Sequence, residues 1–106
     1  MRESAIESRA VKAAEKFGVW TSKFCSTSRR GVPDRTFIFN GRVVFVEFKA
    51  PGEVPTPLQQ AIVRQMLDHG ASVFVIDSKE QVDNFFWMLL AGTLPQTNIT
   101  HENKDH

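Results

Sequence analysis

The chain has 106 residues, enough for one hydrophobic core, and 42% of them are hydrophobic and 24% charged, as in a globular domain. Its single cysteine, Cys25, excludes an internal disulfide, and no apolar run approaches the roughly 20 residues that a membrane helix needs. We therefore expect an intracellular, cytoplasmic protein that makes no membrane contact.

The charged residues are unevenly divided, although the formal net charge is only +1. Residues 1–50 contain ten Lys and Arg against five Asp and Glu, whereas residues 51–106 contain three against seven. A basic first half is compatible with a face that binds a polyanion, and equally with a solvated surface of uneven charge.

The first predicted elements follow from the spacing of apolar residues. Residues 3–17 carry apolar side chains at helical spacing and are followed by Gly18, which predicts an amphipathic helix. Residues 19–24 alternate apolar and polar side chains, which predicts a short strand with Trp20 in the core or in an interface. Residues 26–33 are rich in Ser, Arg, Gly and Pro and should form a loop.

A hairpin is predicted next. Two runs of β-branched and aromatic residues, 36–39 and 42–49, flank Asn-Gly, and this dipeptide between such runs is the strongest short-range hairpin signal. Counting outward from a two-residue loop places Asp34, just before the first run, opposite Glu47 in the second.

The second half of the chain is predicted to form a helix, a strand and a helix. A loop with three prolines, residues 50–57, leads into the capping-box pattern of Thr56 and Gln59, and a second such pattern follows at Ser78 and Gln81. The predicted elements are a helix over residues 57–69, a strand over 72–76 and a helix over 79–90.

The predicted order is one helix, three strands, a helix, a strand and a helix. This order indicates an α/β fold, with a central mixed β-sheet flanked by helices, in a single domain over residues 1–95. The polar residues 96–106 are predicted to form a tail that frays.

Three charged residues are expected to meet at one end of the hairpin. Glu47 and Lys49 lie two residues apart on a strand and share a side of the sheet, where Asp34 would join them. Carboxylates in a strand rich in Val and Phe cost free energy unless they are paired or bind metal. A Glu-x-Lys tripeptide alone is more often an exposed ion pair, but its alignment with Asp34 favours a Mg²⁺ site.

These residues match a known signature. Gly-Val-Pro-Asp-Arg at residues 31–35 and Glu-Phe-Lys-Ala-Pro at residues 47–51 resemble the PD-(D/E)xK nuclease signature. With an early helical glutamate and Pro-Leu-Gln at residues 57–59, the chain resembles the VRR-NUC family over about residues 3–86. The resemblance implies a restriction-endonuclease-like fold and a metal-dependent DNA endonuclease.

The resemblance also implies a set of catalytic residues. Asp34, Glu47 and the carbonyl of Phe48 would hold Mg²⁺ or Mn²⁺, and Lys49 would act on the attacking water. No small-molecule cofactor is expected.

The resemblance implies two further site residues, and for each of them the sequence offers an alternative. A glutamate of the first helix would complete the metal shell, and Glu7 matches that position better than Glu3, although both lie on one face of the helix. Gln59 would lie close to the catalytic acids, with Gln60 as the less favoured choice. The place of Gln59 in the capping box offers it a purely structural role instead.

Basic residues surround the predicted site and are candidates for contacts with DNA phosphates. Singly, each could equally be an ordinary solvated side chain. They are Lys23, Arg29, Arg30 and Arg35.

Six consecutive apolar residues, 85–90, would cover every side of a helix, whereas a small domain buries only one. We expect a second copy of the chain to cover the remainder through Phe86, Trp87 and Leu90. The family resemblance then implies a homodimer that cuts branched DNA such as four-way (Holliday) junctions. A nickase, a flap endonuclease and a non-catalytic nucleic-acid-binding module are the alternatives.

Overall fold

Seven helices and strands follow one another in the predicted order in the computed structural model, which describes residues 1–100. They are α1 Glu3–Phe17, β1 Trp20–Lys23, β2 Arg35–Phe39, β3 Arg42–Phe48, α2 Pro57–Asp68, β4 Ser72–Ile76 and α3 Lys79–Ala91. The predicted α/β fold class is confirmed.

The four strands form one mixed sheet in the order β1-β2-β3-β4. The β2–β3 hairpin turns at Asn40 and Gly41, whose φ angles of 52° and 83° are those that a tight two-residue turn of the primed type requires. The pairs β1–β2 and β2–β3 are antiparallel, whereas β4 runs parallel to β3 because α2 carries the chain back across the sheet.

The side-chain alternation of β3 separates the core from the polar residues. Val44, Val46 and Phe48 are fully buried in the cluster that also contains the inner faces of α1 and α3. Phe45 instead packs against the smaller cluster beneath α2, so Glu47, two residues further on, lies on that side of the sheet as well. We call this side of the sheet, which α2 covers and which carries Glu47, the α2 face.

Both capping patterns form, but only the first is complete. Thr56 Oγ1 accepts from the Gln59 N–H and the Gln59 side chain returns the bond to the Thr56 N–H, which closes the box that opens α2. At α3, Ser78 accepts from the Gln81 N–H at 3.1 Å, whereas Gln81 accepts from the N–H of Asp77, one residue before the cap.

The apolar side chains of α3 are divided between the core and the surface differently from the prediction. Phe86 is only 3% exposed and packs edge to face on Phe37 at 5.8 Å, so it belongs to the core of its own chain and not to a dimer interface. Leu90 is half-buried, and Trp87 remains 78% exposed. Trp20 is 56% exposed, which rules out the predicted place in the core.

Residues 96–99 do not fray. The side-chain amide of Asn98 bonds both the N–H and the carbonyl of Val75, at 3.0 and 2.7 Å, and Gln96 donates to two carbonyls near the end of α2. These bonds hold the segment along β4. Residues 101–106 of the predicted tail lie outside the described residues. Within residues 1–100, no helix has both the length and the apolar character that crossing a bilayer requires.

Candidate active site

Glu47 is the central acid of the site, and its side chain is only 2% exposed. One carboxylate oxygen, Oε2, accepts from Gln59 Nε2 at 3.0 Å and lies 3.3 Å from Lys49 Nζ. The other, Oε1, is buried without a partner, and within residues 1–100 it is the one buried side-chain polar atom of this kind. Leaving such an oxygen unsatisfied costs about 1–3 kcal/mol, so it is a natural position for a ligand.

Asp34 lies opposite Glu47, as the hairpin register predicts. Arg35 pairs with Val46, and the N–H of Asp34 donates to the carbonyl of Val46 at 3.0 Å, which continues the register by one residue. Asp34 Oδ2 accepts from the N–H of Phe48 at 2.8 Å. The aspartate is thereby fixed to β3 on either side of Glu47.

The pKa values of both acids are raised. Burial and, after it, the nearby carboxylate of Asp34 raise the pKa of Glu47 to about 7 against the opposing effect of Lys49. Burial also raises the pKa of Asp34, with Glu7 acting in the same direction, although the hydrogen bond from Phe48 favours the charged form. A cation between these acids would relieve both the desolvation and the repulsion.

The donor set suits a hard divalent cation. Carboxylate and carbonyl oxygens are the ligands that Mg²⁺ and Mn²⁺ prefer. The N–H of Phe48 points towards Asp34, and a strand residue directs its N–H and carbonyl to the same neighbouring strand, so the Phe48 carbonyl lies on the Asp34 side. The unpartnered oxygen of Glu47 completes a set of oxygens that fits such an ion.

Lys49 is held at the end of β3. Its side chain is 12% exposed, and its backbone N–H donates to the carbonyl of Ile76 at 2.9 Å. The ammonium group therefore lies beside the buried acid and not in open solvent. From this position it can act on an anion bound at the site.

Gln59 makes the capping contact and a contact with the acid at once. Its side-chain oxygen accepts from the N–H of Thr56 at 2.9 Å, while its Nε2 donates to Glu47. Gln60 bonds the carbonyl of Pro55 instead, at 2.8 Å. Of the two glutamines, it is thus Gln59 that contacts an acid of the site.

Both glutamates of α1 are near enough to the site to interact with its charges. Glu7 lies near enough to Asp34 to raise its pKa, and burial followed by the charge of Asp34 raises the pKa of Glu3. Within the described part of the chain, no three His, Cys, Asp or Glu side chains converge closely enough to hold an ion together. A direct or indirect share of Glu7 in the metal shell stays a prediction.

The basic residues have different environments. Arg29 and Arg30 are exposed on the loop, and Lys23, with 64% of its side chain exposed, lies 3.2 Å from Glu7. Arg35 is only 14% exposed, and its guanidinium donates to Glu7 at 2.8 Å and to Thr21. That makes Arg35 an internal partner of Glu7 and not a surface contact for DNA, which corrects the prediction for this residue.

A signal for this role was present in the sequence. Neighbouring strand residues point to opposite faces of a sheet, so Arg35 has to face α1 when Asp34 faces α2. Adjacency in sequence suggested a shared surface, whereas strand alternation separates the two residues.

Comparisons with known proteins show the family of the chain. No protein-family model matches the chain. The sequence is 44% identical over 99 residues to the protein named "Putative nuclease p44" of Acyrthosiphon pisum secondary endosymbiont phage 1, which covers 92% of this chain and 97% of that protein. The fold of this chain is similar to that of a solved structure described as a VRR_NUC domain. The TM-score is 0.74 and the identity 31%, over 80% of this chain and 94% of that one. The chain belongs to the VRR-NUC family of nucleases.

Proposed function

We propose that this protein is a divalent-metal-dependent endonuclease that hydrolyses phosphodiester bonds in branched DNA, four-way junctions in particular, as a homodimer. The observation that carries the metal dependence is the buried, unpartnered Oε1 of Glu47, which lies in a site shared with Asp34 and Lys49.

The oxygens of the site would hold Mg²⁺ or Mn²⁺. Asp34, Glu47 and the Phe48 carbonyl are the proposed ligands, and Glu7 is proposed to complete the shell, directly or through water. When bound, the cation would supply Lewis-acid stabilisation of the negative charge that develops on the phosphate.

The chain's own residues orient the reactants. The ammonium of Lys49, 3.3 Å from Glu47, can donate a hydrogen bond to the attacking water or to a phosphate oxygen. Gln59 fixes one oxygen of Glu47, which leaves the other free for the cation. The exposed loop residues Arg29 and Arg30 would add affinity for phosphates that does not depend on base sequence.

The proposed dimer rests on an exposed apolar surface of α1 and α3. Trp87 and Phe17, with 78% and 43% exposure, flank a cavity of about 280 Å³ that Leu90 also lines. Large exposed aromatic side chains of this kind are typical of interfaces. A two-fold dimer would carry one site for each strand and so suit paired cuts at a symmetric junction. Since one chain carries a single site, a monomer would act as a nickase or flap endonuclease, which is the second candidate.

Cleavage of defined substrates tests the proposal. A labelled four-way junction, a flap and a linear duplex are incubated with Mg²⁺, Mn²⁺ or EDTA. We expect cutting of the junction only with metal, and its loss in Glu47→Ala and Lys49→Ala. Glu15→Gln, an exposed acid on α1, is the matched control and should cut normally. Equal cutting by all variants, or none by the wild type, contradicts the assignment.

A further inference from the structure

A second cavity lies on the α2 face, as the candidate metal site does. Its volume is about 560 Å³, within the range of small-molecule pockets, and it lies between the loop of residues 24–33 and α2. Phe24 and Met66 give it apolar walls, and Ser26, Arg29 and His69 supply polar groups. Among the described residues that line it, none is an acid, so it suits a neutral or anionic ligand.

The cavity is bounded by fixed elements. Arg29 Nη1 donates to Gln65 Oε1 at 3.0 Å, which ties the loop to α2. At the other end, Gly31, with a φ of 85°, lies so close to α2 that a Cβ atom there would come within 3.0 Å of Leu58. The loop therefore lies against the helix at two points, with the cavity along that contact.

The cavity is connected to the acids by a backbone hydrogen bond and by helix α2. The N–H of Phe24 donates to the carbonyl of Asp34 at 2.8 Å. Ile62, another lining residue, lies three residues after Gln59, which is about one turn of α2. A group bound in the cavity would consequently lie on the same side of the sheet as a phosphate held at the acids.

An aromatic ring in the wall of the cavity favours a flat, aromatic ligand. The ring of Phe24 is half-buried and lies 5.0 Å from that of Phe45, which fixes its orientation. Nucleobases of every kind stack on such rings, and arginine near the ring can contact the backbone phosphate of the same nucleotide.

We infer that this cavity receives one unstacked base of the nucleic acid, from a nucleotide that neighbours the cleaved bond. The inference rests on the proposed nuclease function and deepens it. Bases leave the stack at lowest cost where the duplex is interrupted, so the cavity gives a physical reason for a preference for branched over linear DNA.

Binding without cleavage tests the inference separately from the nuclease. A four-way junction carries 2-aminopurine at the branch point and a dye on one arm, and both signals are followed in EDTA and in Ca²⁺. Dye anisotropy reports binding. Stacking in the duplex quenches 2-aminopurine, so a rise in its fluorescence reports a base that has left the stack. We expect this rise with the wild type and its loss in Phe24→Leu, which keeps an apolar side chain against Phe45. Trp20→Ala, which removes a more exposed ring from the other end of β1, should give the same rise as the wild type.

A second arm replaces the branch-point base by an abasic site. Wild-type affinity should fall about tenfold and that of Phe24→Leu much less, because the stacking contact is already lost there. Binding by anisotropy with an identical rise in 2-aminopurine fluorescence in wild type and Phe24→Leu, or with no rise in either, overturns the inference while leaving the nuclease intact. Absence of any binding overturns both, whereas a rise without cleavage in Mg²⁺ overturns the nuclease alone.

Discussion

Gln59 joins the first turn of α2 to the buried acid of β3: its Nε2 donates to Glu47 Oε2 at 3.0 Å, while its own oxygen caps the helix at Thr56. One side chain thus fixes both where the helix begins and which oxygen of Glu47 is occupied. Helix packing and the geometry of the acid are coupled through this amide.

That coupling predicts a double effect of Gln59→Ala. Loss of the cap should lower the free energy of unfolding by about 1 kcal/mol, and loss of the contact with Glu47 should weaken metal affinity by about tenfold or more. Thermal denaturation and titration calorimetry with Mn²⁺ measure the two. Gln81→Ala, which breaks the comparable cap of α3, is the matched control and should lower stability alone. Equal metal affinity in all three proteins would contradict the coupling.

The raised pKa of Glu47 predicts how stability depends on pH without metal. Its pKa is about 7 in the folded chain against 4.5 in the unfolded one, so the folded state holds the proton more tightly. The resulting contribution is present below about pH 4.5 and is lost as the pH rises through about 7, by about 3 kcal/mol. Urea unfolding in EDTA across this window measures it.

Glu47→Gln should remove this pH dependence, because an amide of similar shape does not titrate. Mg²⁺ added at about pH 8 should restore the stability of the wild type and leave that of Glu47→Gln unchanged. A wild-type profile that matches that of the amide variant would show that Glu47 is not the group responsible.

Arg35 is predicted to act through Glu7. Arg35→Ala leaves the half-buried carboxylate of Glu7 with Lys23 as its remaining partner, which should cost about 1.5–3 kcal/mol of stability and reduce cleavage. Arg30→Ala, an exposed arginine of the loop, should instead weaken DNA binding in a salt-dependent way and leave the melting temperature unchanged. The opposite pattern would return Arg35 to the DNA surface.

The exposed face of α3 predicts the oligomeric state. Trp87→Glu should convert a dimer into a monomer in sizing chromatography with the fold intact by circular dichroism, since the side chain is 78% exposed in one chain. Trp20→Glu charges another exposed tryptophan and should remain dimeric. A wild-type protein that elutes as a monomer would rule out the proposed interface.

Local chemistry made much of this fold predictable from sequence. Asn40-Gly41 set the hairpin register, and hence the position of Asp34 against Glu47, because a two-residue turn leaves little freedom. The caps at Thr56 and Ser78 likewise fixed where α2 and α3 begin.

Contacts between segments distant in sequence were not predictable in the same way. Composition alone made residues 96–99 seem unstructured, yet their amides find unpaired backbone groups along β4. The sequence pattern alone places Phe86 in surplus apolar surface, because the size of the aromatic core around Phe37 depends on three elements meeting. Such information lies in the tertiary arrangement and not in any one segment.

Direct measurement of Mn²⁺ binding tests the central claim, that Asp34 and Glu47 share one divalent cation. In titration calorimetry, the wild type should bind the ion, while Asp34→Asn and Glu47→Gln should each lose most of the affinity with their folds intact by circular dichroism. Unchanged binding in both variants would contradict the account.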